Sequence, residues 1–242
     1  MENIYIDGKY WDTHPDYHSD DSEWKAKHLY SLLNLEHTSN LLNQQMSICE
    51  VGCGGGGVLY YLIKNLKEKK ILCHGTGCDI SPQAIERASS LFPECSFMIS
   101  DIAQMQQCFD LILLIDVLEH VSNPKEMLFQ CFERAKIVLV HLPLDDHYWG
   151  RLLRGKDYFD YLKRDRGHIN YYTKDKAIQL MKDVNGEIIA WKYTRWGIEL
   201  PSDNSKSGKL VKMLRHIGFN INMDISVKLF GGASIAILCK KS

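Results

Sequence analysis

Three features that mark other classes of protein are missing from this sequence of 242 residues. No apolar run approaches the about 20 residues that a membrane-spanning helix needs, and the N-terminus lacks the basic and apolar regions of a signal peptide. The formal net charge of −1 at pH 7 gives no general excess of positive charge for neutralising nucleic-acid phosphates. We therefore expect a cytoplasmic protein that contacts neither membranes nor nucleic acid.

A metal-binding cysteine pattern is also missing. None of the 8 cysteines belongs to a C-x-x-C pair, and Cys49, Cys53, Cys73 and Cys78 do not have the spacing of zinc ligands. Most of the cysteines lie in or beside apolar runs, as small buried thiols do. The sequence therefore predicts reduced cysteines and no metal site among them.

A glycine-rich loop follows the apolar run at residues 46–51 and precedes a stretch with helical periodicity. Gly52, Gly54 and Gly57 satisfy the G-x-G-x-x-G pattern, in which the backbone approaches a cofactor closely and a helix N-terminus faces an anionic group. This pattern alone leaves an NAD-dependent oxidoreductase open. Glu50, at the end of the strand before the loop, is unusual for an NAD-binding fold and favours another nucleotide-type cofactor.

Strands and helices alternate from residue 46 onward, which favours an α/β fold with a mostly parallel sheet and helices on both faces. We expect an N-terminal arm and helix at residues 1–45, covering the cofactor site, and one cofactor-binding domain at residues 46–242. Within that domain, residues 143–172 interrupt the alternation and are interpreted as a lid over the substrate. The predicted strands are 46–51, 71–78, 96–99, 109–115, 137–140, 187–196 and 233–239.

Acidic residues stand at the ends of the first four predicted strands: Glu50, Asp79, Asp101 and Asp116. In open α/β sheets, ligands bind beyond the carboxyl ends of the strands. These carboxylates are therefore expected to converge around one ligand.

With these residues in place, the chain resembles the class I S-adenosylmethionine (AdoMet)-dependent methyltransferases. The segment Glu50-Val-Gly-Cys-Gly-Gly-Gly is similar to the first motif of that family, and Asp79-Ile80, Ser100-Asp101-Ile102 and Asp116-Val-Leu-Glu-His-Val are similar to the next three. The resemblance covers residues 46–141. The Asp-Val-Leu-Glu-His form and the segment Gly167-His-Ile-Asn-Tyr-Tyr resemble the small-molecule branch that includes the ubiquinone-biosynthesis type.

The resemblance implies a Rossmann-like, seven-stranded sheet whose last strand is antiparallel, and an enzyme that converts AdoMet to S-adenosylhomocysteine. Glu50 and the glycine loop would face the methionine part, Asp79 the ribose, Asp101 the adenine and Asp116 the sulfonium. The implied cofactor-binding residues are Glu50, Gly52, Cys53, Gly54, Gly56, Asp79, Ile80, Asp101, Ile102, Asp116 and Val117.

Some ubiquinone-type enzymes use an acid at the position of Asp116, together with Glu119 and His120, for a divalent metal. Here the first of these residues is the shorter aspartate where those enzymes have glutamate. We therefore expect no metal, and a local packing or capping role for His120 is the alternative.

The acceptor is expected to be a small molecule, because the sequence lacks the Asn/Asp-Pro-Pro-aromatic, Pro-Cys and paired-glutamate motifs of related nucleobase, cytosine and arginine methylators. A base is needed only if the acceptor must lose a proton, and the candidates are His141, Asp145, His147 and His168. The acceptor itself and the choice between monomer and homodimer stay open. Alternatives to a methyltransferase are an NAD-dependent oxidoreductase and a non-catalytic AdoMet-binding protein.

Overall fold

The computed structural model describes residues 19–33, 45–201 and 206–241. Most of the predicted N-terminal arm therefore lies outside the described residues. Within it, a short 3₁₀ turn at Ser19–Asp21 leads into helix α1, Ser22–Leu33, where the sequence predicts a helix. The apolar side chains of α1 pack onto one face of the domain, with Ala26, Leu29 and Leu32 fully buried.

A seven-stranded sheet forms the centre of the domain, in the order β3-β2-β1-β4-β5-β7-β6. Strands β1 to β5 pair in parallel, and β7 pairs antiparallel with both β5 and β6. The predicted Rossmann-like sheet with an antiparallel last strand is confirmed. The strands are β1 Gln45–Val51, β2 Leu72–Asp79, β3 Ser96–Ile99, β4 Phe109–Ile115, β5 Ala135–Pro143, β6 Gly186–Thr194 and β7 Ser234–Lys241.

Helices cover both faces of this sheet. The helices after α1 are α2 Gly57–Glu68, α3 Pro82–Leu91, α4 Pro124–Arg134, α5 Tyr148–Arg154, α6 Lys156–Arg166, α7 Lys174–Asp183, α8 Trp196–Glu199, α9 Lys206–Ile221 and α10 Met223–Phe230. The segment interpreted as a lid contains α5 and α6. The sequence also predicts a loop at 204–208 and a short helix at 209–216. In the described residues this helix, α9, begins at Lys206 and continues to Ile221, and α10 was not predicted.

The core has two parts, one on each face of the sheet, because successive side chains of a strand point to opposite faces. On β4, Leu111 and Leu113 pack in the part that α1 and α2 cover, whereas Ile112 and Leu114 pack in the other. Both faces of this central strand are therefore buried, which explains its near-continuous apolar sequence.

Candidate active site

The glycine loop after β1 joins the ends of three strands. The N–H groups of Gly52 and Cys53 donate to the carbonyl of Cys78 at 2.8 and 3.0 Å. Gly52 has a φ of +71°, and a Cβ at this position would lie 2.7 Å from Cγ2 of Val117, which follows β4. The loop therefore needs glycine both for its left-handed backbone and for its close approach to Val117.

Glu50 lies behind the glycine loop with 2% of its surface exposed. Its carboxylate accepts a hydrogen bond from the N–H of Leu59 on α2 at 3.0 Å. Burial is the main cause that raises the pKa of Glu50 to about 8, although the Leu59 N–H and Lys25 act in the opposite direction. Glu50 thus links β1 to α2, and its raised pKa favours the protonated form more than in an exposed glutamate.

Asp79, at the end of β2, holds the loop from the other side. Its two carboxylate oxygens accept from the N–H groups of Gly54 and Ser81, each at 2.9 Å. Burial raises the pKa of Asp79 above its usual value. The side chain of the neighbouring Ile80 is exposed, at 39%.

Asp101, after β3, caps a 3₁₀ turn at Ile102–Gln104 by accepting from the N–H of Ala103 at 3.2 Å. The side chain of Ile102 is fully buried. Asp79 and Asp101 thus stabilise the turns that follow their strands, whereas Glu50 links β1 to α2.

Asp116, after β4, is held in the left-handed region with a φ of +55°, an uncommon conformation that is often found at functional sites. Its Oδ1 lies 2.7 Å from Nδ1 of His141, and its Oδ2 lies 2.9 Å from Nζ of Lys25 on α1. The other ring nitrogen of His141 contacts Thr194 Oγ1 at 2.8 Å. Both nitrogens of the buried His141 are therefore engaged.

The charges in this cluster reinforce each other. Burial alone would raise the pKa of Asp116, but the attraction of Lys25 and His141 outweighs it and holds this pKa far below its usual range. Burial likewise disfavours charged Lys25, yet Asp116 and Asp21 raise its pKa above the usual value. Asp116 and Lys25 thus form a partly buried ion pair that ties α1 to the end of β4. Sequence reasoning missed Lys25 and Thr194.

A second cluster follows β4 directly. Glu119, His120 and His168 offer ligand atoms that all lie within 4.8 Å of one another. Burial and the charge of Asp116 raise the pKa of Glu119 well above its usual value. Burial and His168 lower the pKa of His120 to about 4. The resemblance to ubiquinone-type enzymes implies that Asp116 would bind a metal together with Glu119 and His120. In this structure the Asp116 carboxylate contacts Lys25 and His141, and the side chain beside Glu119 and His120 is that of His168.

A cavity of about 480 Å³ lies next to these clusters and has a mostly apolar lining. Asp145 and His147 line it, and Asp145 also accepts a hydrogen bond from Nδ1 of His168 at 2.6 Å. Aromatic side chains form much of the wall: Trp149, Tyr158, Tyr161, Trp196 and Phe230. Of the four predicted base candidates, Asp145 and His147 thus face the cavity, His168 joins the second cluster, and His141 belongs to the Asp116 cluster.

His147 is positioned as the N-cap of α5. Its Nδ1 accepts from the N–H of Gly150 at 3.1 Å, and its Nε2 lies 3.0 Å from the hydroxyl of Tyr158. Burial, followed by the charge of Arg215, lowers the pKa of His147 to about 4. A neutral His147 therefore orients Tyr158 at the cavity wall.

The sheet order and the glycine loop backed by a buried acid define a Rossmann-like protein of the AdoMet-binding class. A family model described as a methyltransferase domain matches residues 24–190. The chain belongs to this methyltransferase family, and the predicted class of AdoMet-dependent methyltransferase is confirmed. Among the described residues, no helix is long and apolar enough to cross a bilayer.

Individual relatives are more distant. The mitochondrial ubiquinone biosynthesis O-methyltransferase of Schizosaccharomyces pombe is 33% identical over 98 residues, which are 37% of this chain and 34% of that protein. The chain therefore spans about a third of this curated relative. Magnesium protoporphyrin IX methyltransferase of Synechocystis PCC 6803, solved with S-adenosylhomocysteine, shares the fold with a TM-score of 0.58 and 15% identity over 93% of this chain and 84% of that one. The plantazolicin methyltransferase BpumL also has a TM-score of 0.58, with 20% identity over 98% and 90% of the two chains.

Proposed function

We propose that this protein transfers a methyl group from AdoMet to a small-molecule acceptor bound in the aromatic cavity beside β5. The observation that carries the proposal is the position of Asp145. This residue lines the cavity and contacts His168, whose ring lies 4.9 Å from that of His120 in the segment after β4. The cavity therefore adjoins the strand ends at which ligands of open α/β sheets bind.

In this proposal the cofactor lies across the ends of β1 to β4. Glu50 and the loop residues Gly52, Cys53, Gly54 and Gly56 bind the methionine part, and Asp79 with Ile80 binds the adenosine sugar and one face of the base. Asp101 and the backbone of Ile102 bind the adenine edge, while Asp116 and Val117 line the side of the sulfonium. The ionised Asp116 favours this cation electrostatically.

Methyl transfer requires an in-line approach of the acceptor atom to the sulfonium carbon, at about 3–3.5 Å. The acceptor atom forms a bond to the methyl carbon while the carbon–sulfur bond breaks, and the electron pair stays on sulfur. We assign the acceptor's proton, where one must be lost, to Asp145, the carboxylate of the cavity lining. His147 and Tyr158 orient the acceptor, because their mutual hydrogen bond places the phenol at the wall.

Two binding measurements test the class of cofactor. Calorimetry with S-adenosylhomocysteine is expected to show binding to one site, and the same titration with NADH is expected to give no heat. Heat with NADH alone would refute the methyltransferase proposal. Turnover is then tested by following S-adenosylhomocysteine release with a panel of aromatic and apolar acceptors. A protein that binds the cofactor but never releases this product would instead be a non-catalytic AdoMet-binding protein.

The place of the acceptor is tested by filling the cavity. Leu214 on α9 lines it, whereas Met213 on the same helix is exposed at 52% and does not. Leu214→Trp is expected to abolish or strongly weaken acceptor turnover while the affinity for S-adenosylhomocysteine stays within a few-fold. Met213→Trp is the matched control. Equal acceptor kinetics in both variants would place the acceptor elsewhere.

A further inference from the structure

Glu119 is a buried acidic residue that has no role in the proposed methyl transfer. It is 1% exposed, and neither of its carboxylate oxygens has a hydrogen-bond partner among the described residues. Burying a carboxyl group without a partner costs free energy, so such a group in a native fold calls for an explanation such as a bound ion. A second possible ligand of such an ion lies close by, since Nε2 of His120 is 3.9 Å from Oε1 of Glu119.

Both histidines beside Glu119 are held by their Nδ1 atoms. His120 Nδ1 lies 3.1 Å from the carbonyl oxygen of Gly167, and His168 Nδ1 lies 2.6 Å from Asp145 Oδ2. Because a carbonyl and a carboxylate only accept, each Nδ1 carries the hydrogen, and in the neutral imidazole the lone pair is on Nε2. Metal-binding histidines are held in this way, by a carbonyl or a carboxylate at the ring nitrogen that does not bind the metal.

The backbone fixes the two halves of the cluster together. The carbonyl of Glu119 accepts from the N–H groups of Ile169 and Asn170 at 2.8 and 3.0 Å. The side-chain amide of Asn170 donates to the carbonyls of Leu118 and Val121 at 2.9 and 2.7 Å. These hydrogen bonds hold the segment that carries His168 against the segment that carries Glu119 and His120. The backbone therefore places the three side chains next to one another.

We propose that Glu119, His120 and His168 bind a divalent transition-metal ion, with Asp145 orienting His168. In a tetrahedral site, atoms bound to one ion at about 2.0–2.2 Å lie about 3.3–3.6 Å apart, so the three donors, which lie within 4.8 Å of one another, need to approach by at most about 1.5 Å. One carboxylate and two imidazoles suit Zn²⁺, Co²⁺ or Fe²⁺, whereas Mg²⁺ prefers an all-oxygen set.

This donor set differs from the one that the ubiquinone-type resemblance implies. Asp116 would belong to that set, but its two oxygens contact His141 at 2.7 Å and Lys25 at 2.9 Å. A metal at Asp116 would have to displace a lysine from a partly buried ion pair. His168 replaces Asp116 in the set, so the proposed site has two nitrogen ligands and one carboxylate in place of one nitrogen ligand and two carboxylates.

The test measures metal binding without AdoMet or acceptor, so it is independent of methyl transfer. The full chain is stripped with a chelator and titrated with Co²⁺, followed by its visible absorption, and with Zn²⁺ and Mg²⁺ by calorimetry. One Co²⁺ per chain with histidine-type absorption bands, similar Zn²⁺ binding and much weaker Mg²⁺ binding are expected. No Co²⁺ or Zn²⁺ binding, or Mg²⁺ binding as tight as that of Co²⁺, would overturn the proposal.

Variants identify the ligands. His168→Ala and Glu119→Gln are expected to lower Co²⁺ affinity by 100-fold or more, and Asp145→Asn by about 10–100-fold through loss of orientation. His216→Ala changes an exposed histidine on α9 and is expected to have no effect. Asp116→Asn is expected to change the affinity by less than a few-fold. Circular dichroism confirms folding of each variant, and loss of binding in Asp116→Asn with retention in folded His168→Ala would refute the assignment.

Discussion

Lys25→Met tests whether the ion pair between Lys25 and Asp116 holds α1 against the end of β4. Lys25 is the residue of α1 that reaches Asp116, and the side chains are 13% and 28% exposed. Methionine retains the apolar stem of lysine and removes only the ammonium. Breaking one side of a buried ion pair typically costs about 3–5 kcal/mol. The partial exposure of Asp116 and its remaining contact with His141 reduce our expectation to about 2–3 kcal/mol.

For a protein of this size, about 1 kcal/mol corresponds to about 2–4 °C in Tm, so Lys25→Met is expected to lower Tm by about 4–12 °C at pH 7. The control Lys27→Met changes an exposed lysine of the same helix and is expected to stay within about 0.5 kcal/mol of the parent. Calorimetric unfolding scans supply the measurement. A Tm of Lys25→Met equal to that of Lys27→Met would refute the ion-pair argument.

The pH dependence adds an independent check with a defined sign. The pKa of Asp116 is depressed in the folded protein, so its contribution to stability is complete above the unfolded pKa of about 3.9 and disappears as the pH falls toward the folded value. The difference in stability between the parent and Lys25→Met is therefore expected to be constant near pH 7 and to shrink below about pH 4.

Two further predictions concern the glycine loop. Glu50 has a raised pKa of about 8, so its contribution to stability is complete below its unfolded pKa of about 4.3 and is lost as the pH rises through 8. Relative to Glu50→Gln, the parent is therefore expected to lose about 1.4 kcal/mol of unfolding free energy per pH unit between these two pKa values, measured by urea unfolding. An equal pH dependence of the unfolding free energy in both proteins would contradict this prediction. Gly52→Ala places a methyl group 2.7 Å from Val117 at a φ of +71° and is expected to weaken S-adenosylhomocysteine binding by tenfold or more by calorimetry, whereas Gly155→Ala, also at positive φ but without a neighbour closer than 3.9 Å, is expected to leave that affinity unchanged.

Local signals predicted the elements that the structure confirms. Strand β4 has the predicted bounds because its apolar run is buried on both faces of the sheet. Helix α4 begins at Pro124, after the side chain of Asn123 caps it by accepting from the N–H of Glu126. Thr173 caps α7 by accepting a hydrogen bond from the N–H of Lys176. In each case the pattern, the cap and the packing indicate the same element.

The C-terminal helices show where local signals fail. Gly218 suggests the end of a helix, yet α9 continues through it to Ile221. A Cβ at Gly218 would lie 2.4 Å from Oγ of Ser226 on α10. The glycine therefore serves the close contact between α9 and α10 and does not end the helix. This use depends on a neighbour that the local sequence does not reveal.

The same limit separates the two halves of the candidate site. The positions of Glu50, Asp79, Asp101 and Asp116 were predictable because each lies at or just beyond the end of a recognisable strand, and parallel strands end at one edge of the sheet. Two residues that complete the Asp116 cluster were not predictable, since Lys25, which contacts Asp116, lies on a helix before the sheet, and Thr194, which contacts His141, lies at the end of β6.

His168 shows the consequence for chemistry. As a residue in a Gly-His-Ile-Asn segment it was one of several candidate bases, and only the clamp between Asn170 and the carbonyls of Leu118 and Val121 brings it to Glu119 and His120. The role of a side chain depends on its neighbours. A histidine that faces a substrate can act as a base, but one beside a buried carboxylate without a hydrogen-bond partner in the described part of the chain is better suited to share a cation. Strand patterns thus predict which edge of the sheet the cofactor would occupy, whereas hydrogen bonds between distant segments determine which groups around that edge are placed to serve as base, ligand or support.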